Sequence, residues 1–252
     1  HHEMERSAQP RRLRLDPWLG PAVREARVLH DPEHFFDWAV AGARGQYERA
    51  DAVTARAHAM LAAARQHAAA AARQPAWRAD YLRALLAACN AAVALVAPPA
   101  CGRRTSAALE TRLALLGDPT LFDAYCSLHG AQTLTSDDVA QAISCWARAA
   151  DLAAARSAQD LPAARAAYWL SGLRTLAESG RPDHAVWPLF FTWEATLAGS
   201  GAVDPRLEAD MAPVFERAAL DKTQRADRLL ALEAFTDRVE GIVQAWAGRH
   251  GA

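Results

Sequence analysis

The sequence predicts an all-α protein, a bundle of about nine to ten antiparallel helices that follows a short irregular or strand-like N-terminal segment. Three observations lead to this prediction. Apolar residues recur at three- and four-residue steps in most segments after residue 31. Alanine, the strongest helix former, dominates these segments. Proline, glycine and short polar side chains separate them at positions typical of helix ends.

The first 30 residues differ from the rest of the chain. His1 and His2 are typical of a purification tag, and residues 3–12 are polar. Alternation of the strand type occurs only at residues 13–15 and 26–29. We therefore expect residues 1–30 to be a tag remnant with an extended segment. Residues 31–252 are expected to form the helical domain, with possible sub-bundles at 31–130 and 131–252.

Proline, a capping residue and a high alanine content predict the first three helices. Asp31 as N-cap and Pro32 at the first helical position predict a helix over residues 32–44. Residues 51–73 are rich in alanine and predict a helix that packs closely through small side chains. The next helix is expected to start near residue 75 and to end at Pro98, and its dense apolar positions predict a central place in the core.

Four further helices are predicted between residues 106 and 180. Two of them are short and cover about residues 106–116 and 120–128. Thr135 and Asp138 form a capping-box signature for a helix that reaches about residue 156. Another helix is expected to start at Pro162 and to stop at Gly180.

The C-terminal part predicts three more helices. Residues 184–198 are the most aromatic segment, and a Gly-Ser-Gly turn follows at 199–201. Asp204 and Pro205 then mark a capped helix start. The last helix is expected between Asp221 and Gly248. It carries a continuous apolar stripe of Leu229, Leu232, Phe235, Val239, Ile242, Val243 and Trp246.

Charge and cysteine usage limit the partners. With 28 basic and 29 acidic residues the formal net charge is −1, so we predict no attraction to nucleic acid or to a membrane surface. No apolar stretch has the roughly 20 clean residues that a membrane-spanning helix needs. The four cysteines are isolated in sequence, which indicates a reducing environment and predicts a cytoplasmic protein.

Motifs that would indicate catalysis are incomplete. The sequence has no dinucleotide-binding or P-loop glycine pattern and no nucleophile elbow, so we predict no catalytic residue and no cofactor. His30 and His34 lie four residues apart, but no third ligand follows at ordinary spacing, so no metal site is predicted. Glu208 and Asp210 follow a capped helix start, so capping and the helix dipole explain them better than metal binding does.

The aromatic residues of the C-terminal half supply the candidate ligand contacts. Tryptophan offers a stacking face and one hydrogen-bond donor, and charged residues lie beside several of these rings. Use in the hydrophobic core is the more frequent alternative and stays open. The candidates for contact with a small polar molecule are Trp146, Arg165, Tyr168, Trp169, Trp193 and Glu194.

One stretch of the sequence resembles the junction between two domains in a known protein family. Residues 25–36 read EARVLHDPEHFF and resemble the junction in nucleotidyltransferase-superfamily proteins. In those proteins the last strand of the catalytic domain ends in a VLYDP-like turn before an all-helical region. Residues 81–99, the pair Arg103 and Arg104, and the leucine-rich helix after it are similar to that helical region in kanamycin- and streptomycin-type nucleotidyltransferases.

The resemblance implies a function without a catalytic centre. In the family the helical region forms one wall of the cleft and contacts the acceptor substrate. The strand with Gly-Ser and paired acids does not precede residue 27 in this chain, so whether the chain is an enzyme stays open.

The alternative is a non-enzymatic scaffold or homodimer that binds a protein partner through an apolar face of the last helix, over residues 222–247.

Overall fold

The structure, a computed structural model, describes residues 10–156, 163–200 and 205–252. Over these residues the chain forms twelve α-helices and one short 3₁₀ helix at Gly102–Arg104, and it forms no strand. The first six helices are α1 (Pro10–Leu15), α2 (Leu19–Glu25), α3 (Phe35–Arg44), α4 (Ala50–Arg73), α5 (Trp77–Val93) and α6 (Thr105–Ala114). The next six are α7 (Thr120–Leu128), α8 (Ser136–Arg156), α9 (Ala163–Glu178), α10 (Asp183–Ser200), α11 (Pro205–Arg217) and α12 (Arg225–His250). The all-α prediction is confirmed.

The strand-like structure that the sequence predicts near the N-terminus is not found at residues 13–15. Residues 13–15 lie in α1, and α2 follows directly, so the described helices outnumber the nine to ten expected. Leu13 is buried against Val23 and against residues 39–43 of α3. The carboxylate of Asp16 accepts hydrogen bonds from the backbone N–H groups of Trp18 and Leu19 at 2.9 and 2.6 Å, which fixes the start of α2. Leu13 is therefore buried on a short helix, whereas Leu15 of the same helix is exposed.

Helix α3 begins three residues later than the sequence predicts. Pro32 lies in a turn, and His34 has a left-handed backbone angle of φ 54°. The N-cap residue is therefore His34, and the prediction of Asp31 as N-cap is wrong. The carboxylate oxygens of Asp31 nevertheless accept from the N–H groups of Phe35 and Asp37 in the first turn, at 3.1 and 2.9 Å.

Helix α5 is the centre of the main core. Twelve of its residues are buried, and it contacts α4 and α12 along much of its length. It ends at Val93, before the expected Pro98. Asn90 explains the segment that follows, because its side-chain amide donates to the carbonyl of Ala100 at 3.0 Å and its oxygen accepts from the N–H of Ala100 at 2.7 Å. A buried asparagine thus holds the proline-containing turn against the helix.

Several predicted helix ends are confirmed. Thr135 and Asp138 form the reciprocal capping box at α8: the N–H of Thr135 donates to the Asp138 carboxylate, and the N–H of Asp138 donates to the Thr135 hydroxyl. Helix α12 differs, because it continues through Gly248 to His250 and ends with Gly251 at φ 68°. Helix α10 continues to Ser200, and the predicted cap at Asp204 lies outside the described residues.

One hydrophobic cluster runs from Val53 in α4 to Val243 in α12, and it includes the buried rings of four tryptophans. A second, smaller cluster joins α1, α2 and α3. The division into sub-bundles at residue 130 stays a prediction. Among the described helices, none has both the length and the apolar composition that crossing a bilayer requires.

Candidate functional site

The six predicted contact residues lie in two different places. Trp146, Trp193 and Glu194 are at most 5 % exposed and belong to the interior between α8, α10 and their neighbours. Arg165, Tyr168 and Trp169 lie on α9, where Tyr168 is 53 % exposed and Trp169 is half-buried. The structure therefore brings together only the three residues of α9 at the surface.

The buried tryptophan Trp146 has a complete set of contacts within the protein. Its ring is 1 % exposed, and its Nε1 donates to the hydroxyl of Thr196 at 3.2 Å. Thr196 in turn donates to the carbonyl of Thr192 on the same helix at 2.8 Å. The indole of Trp146 thus links α8 to α10 within the core.

Glu194 forms an ion pair inside the protein. Its Oε1 accepts a hydrogen bond from Nε of Arg78 at 2.6 Å, and the carboxylate is 5 % exposed. The guanidinium of Arg78 also lies 4.1 Å from the centre of the Phe215 ring. The charge that the sequence places beside Trp193 is therefore paired, and it connects α5, α10 and α11.

An arginine that is not among the six predicted contact residues also lies at the surface of α9. Arg103, from the 3₁₀ helix, places its guanidinium carbon 4.1 Å from the centre of the Tyr168 ring and donates to the Tyr168 carbonyl at 3.3 Å. Its side chain passes close to Gly172, where an added Cβ would lie 2.5 Å from Cδ of Arg103. Residues 103 and 168 are far apart in sequence, so no local spacing signals this contact.

Two acidic residues of α6 and α10, Glu110 and Asp183, form ion pairs within the protein. Arg181 bridges Glu110 and Asp183 with N–O distances of 2.8 Å to each, and His184 Nε2 lies 3.1 Å from Glu110. The hydrogen bonds from Arg181 and its neighbouring charges hold the pKa of Asp183 below its usual range, against the opposing effect of burial. Both carboxylates are therefore occupied by cations of the protein itself.

A buried polar group lies beneath α7. The imidazole of His129 is fully buried, its Nδ1 lies 2.7 Å from the carbonyl of Tyr125, and its Nε2 has no partner among the described residues. Burial lowers the pKa of His129 to about 4, so this imidazole is neutral at pH 7. The Tyr125 hydroxyl is within 3.0 Å of the Ser106 hydroxyl, which satisfies it inside the core.

The cysteines are free, and Cys101 alone among them is exposed. Burial raises the pKa of Cys126 to about 12 and raises that of Cys145 above its usual value. A thiol with a raised pKa carries little thiolate at neutral pH and is a poor nucleophile. Buried thiols of this kind act as small apolar side chains.

The N-terminal helices leave an apolar surface uncovered. The segment from Ala26 to His30 has no helical structure, and Leu29 is 90 % exposed. In the described part of the chain no hydrogen bond reaches the backbone N–H groups of residues 27–30. A hollow of about 470 Å³ lies beside this segment and is lined by it together with Val23, Phe36 and Val40.

The apolar stripe of α12 packs inside the protein. Leu232, Phe235, Val239 and Val243 are buried, and the other predicted stripe residues are half-buried against the same core. Leu230, outside the stripe, is 67 % exposed beside a hollow of about 540 Å³ between α4 and α12. The scaffold hypothesis thereby loses the apolar face that it named.

No family model, curated protein or solved structure matches this chain. The resemblance of residues 25–36 to a nucleotidyltransferase junction therefore stays a prediction. Two features of the structure bear on function: the surface of α9, and the unpaired N–H groups of residues 27–30.

Proposed function

We propose that the chain is the helical acceptor-binding region of a nucleotidyltransferase-like protein, with the nucleotide and metal held by a separate catalytic domain. In this proposal the segment at residues 26–30 contacts the sheet of that domain. The surface of α9 forms part of the wall that contacts the acceptor, which is a small polar molecule.

The observation that carries the proposal is the run of backbone N–H groups at residues 27–30, which have no hydrogen-bond partner among the described residues. Ala26 has extended backbone angles, with φ −63° and ψ 138°, and the following N–H groups are unpaired within the described residues. Unpaired extended backbone is a template for strand addition, because main-chain groups pair with the edge of a sheet. The exposed side chain of Leu29 would be covered by the same contact.

The acceptor wall is supported by the surface of α9. Tyr168 offers an exposed aromatic ring, and Arg103 and Arg165 supply hydrogen-bond donors around it. Binding sites for small molecules combine apolar rings with a few placed polar groups in this way. The core tryptophans Trp146 and Trp193 would act indirectly, by fixing the helices behind α9.

The proposal is tested by titrating the 252-residue chain with three acceptor probes of different charge: kanamycin, myo-inositol and glucose 6-phosphate. Backbone amide chemical shifts are followed at 150 mM NaCl, and Mg·ATP is titrated separately. We expect at least one acceptor probe to bind, with shifts confined to α9 and the 3₁₀ helix, and no saturable binding of Mg·ATP at any other part of the chain.

The matched variants are Tyr168→Ala and Leu230→Ala, which truncate side chains of similar exposure on different helices. Tyr168→Ala should weaken the binding of the probe, whereas Leu230→Ala should leave it unchanged. Saturable binding of Mg·ATP at residues outside α9 and the 3₁₀ helix, or no binding of any acceptor probe up to 10 mM, would overturn the proposal.

A further inference from the structure

We propose that Arg103, Arg165 and Tyr168 form a binding site for the phosphate group of a small phosphate ester. The statement that this ester is the acceptor rests on the proposed function. The site itself is argued from the position of Arg103, the geometry of α9 and the balance of charge around them.

Arg103 is held in a defined place. Its stem lies against Gly172, where no side chain blocks it, and its guanidinium stacks on the ring of Tyr168. One N–H of Nη1 donates to the carbonyl of Tyr168, which leaves other N–H groups of the fork available. A planar guanidinium fixed by stacking loses less freedom when it binds an anion than a mobile side chain does.

Arg165 lies on the same side of α9 as the Tyr168 ring. It is exposed and precedes Tyr168 by three residues, so their Cβ atoms are about 5–6 Å apart on the helix surface. Helix geometry thus brings Arg165 to the surface that carries the Tyr168 ring, on which the Arg103 guanidinium stacks. The ring gives the organic part of the ester an apolar surface to contact.

Among the described residues, no carboxylate pairs with the positive charge at this place. Within the described residues neither Arg103 nor Arg165 forms an ion pair with a carboxylate, whereas Arg181 takes both Glu110 and Asp183. Two unpaired guanidinium groups attract an anion. A phosphate monoester has three terminal oxygens, which suits donors arriving from two directions better than a carboxylate with two oxygens does.

The test is a titration of the full chain with inorganic phosphate, glucose 6-phosphate and glucose at a constant ionic strength of 150 mM. We expect glucose 6-phosphate to bind more tightly than inorganic phosphate, and glucose not to bind. Arg103→Met and Arg165→Met should each weaken the binding of glucose 6-phosphate about tenfold, as loss of a charge-assisted hydrogen bond predicts.

Two further variants distinguish binding at the proposed site from general attraction to positive charge and from loss of the fold. Arg174→Met removes an exposed arginine about half a turn around α9 from Arg165, and it should not change the affinity. Gly172→Ala would displace the stem of Arg103 while favouring the helix, so affinity should fall with no loss of thermal stability. This combination would not arise from a variant that merely unfolds.

The outcomes distinguish this inference from the proposed function. If kanamycin or myo-inositol binds at α9 and no phosphate compound does, the phosphate site is refuted and the acceptor wall stands. If inorganic phosphate and glucose 6-phosphate bind equally and Arg174→Met weakens both as much as Arg103→Met does, the attraction is general charge and the site is refuted. If phosphate compounds bind at the three residues and Mg·ATP also binds elsewhere, the site stands and the proposed function fails.

Discussion

Arg78 and Glu194 form an ion pair that links three helices, with 2.6 Å between Nε and Oε1. The carboxylate is 5 % exposed and the guanidinium side chain 23 % exposed, so both groups have lost much of their hydration. The pair replaces this hydration with a direct charge-assisted bond, and the Phe215 ring covers the guanidinium. Removal of either partner would leave the other charge buried without a counter-charge, which strongly destabilises a protein.

Replacement of Glu194 by alanine should therefore destabilise the protein by about 3 kcal/mol, because the partly buried charge of Arg78 loses its partner. Equilibrium unfolding in urea measures this change. Glu233→Ala, which truncates an exposed glutamate of α12, should change the free energy of unfolding by no more than about 0.5 kcal/mol. Equal effects of the two substitutions would show that the ion pair does not bear on stability.

Gly130 and Gly117 offer a comparison between two glycines with the same backbone angle. Their φ values are +76° and +75°, but an added Cβ at Gly130 would lie 2.4 Å from the carbonyl oxygen of Ala218, whereas nothing lies within 4 Å at Gly117. Gly117→Ala should cost about 1 kcal/mol of stability, the price of a left-handed angle. Gly130→Ala should cost at least about 3 kcal/mol, because the backbone segments that follow α7 and α11 must also separate.

Thermal and urea unfolding of both glycine variants provide the measurement. A difference of less than about 1 kcal/mol between them would contradict the close approach of the backbone at residues 130 and 218.

Features that depend on neighbours in sequence were predicted well. Thr135 and Asp138 satisfy each other's N–H groups three residues apart, so the spacing alone identifies the cap at α8. The pattern at residues 13–15 is too short to separate a strand from a short helix. Only the packing of Leu13 against Val23 and Val40 decides between them.

The candidate site required contacts that no local pattern contains. Arg103 meets Tyr168 across 65 residues of chain, and Gly172 has a role only because a side chain from another element lies against it. The charge of Glu194 was noted beside Trp193, but its partner Arg78 lies 116 residues earlier. Sequence spacing on one helix predicts which residues share a face, and tertiary packing determines what that face contacts.

His129 should make stability depend on pH. Its pKa is about 4 in the folded protein and 6.5 in the unfolded chain, so below pH 6.5 the unfolded chain binds a proton that the folded protein excludes. This contribution is complete above pH 6.5 and is lost as the pH falls towards 4, by about 3 kcal/mol in total.

The measurement compares the urea midpoints at pH 7.0 and pH 4.5 for the wild type and for His129→Gln. The variant should lose much less stability on acidification than the wild type does. If His129→Gln shows the same loss as the wild type, the buried imidazole is not the group that titrates.

Arg56 should control the attachment of the N-terminal helices to the main core. Although it is 2 % exposed, it has no carboxylate partner among the described residues, and it donates to the carbonyls of Arg14 and Tyr47 at 2.7 and 3.0 Å. Its guanidinium carbon also lies 3.7 Å from the centre of the Tyr47 ring. Burial lowers the pKa of Arg56, yet two carbonyl acceptors and an aromatic face still stabilise the cation.

Arg56→Met keeps most of the volume of the stem and removes all of these donors. Loss of two hydrogen bonds should lower the free energy of local opening of α1 and α2 by about 2 kcal/mol, which corresponds to roughly 30-fold faster amide hydrogen exchange there. Exchange in α5 should not change, because its core is separate from that of α1 and α2. Arg73→Met, at an exposed position of the same helix, should leave both regions as they are. If exchange in α5 accelerates as much as in α1, Arg56 supports the whole fold and not the attachment of its N-terminal helices.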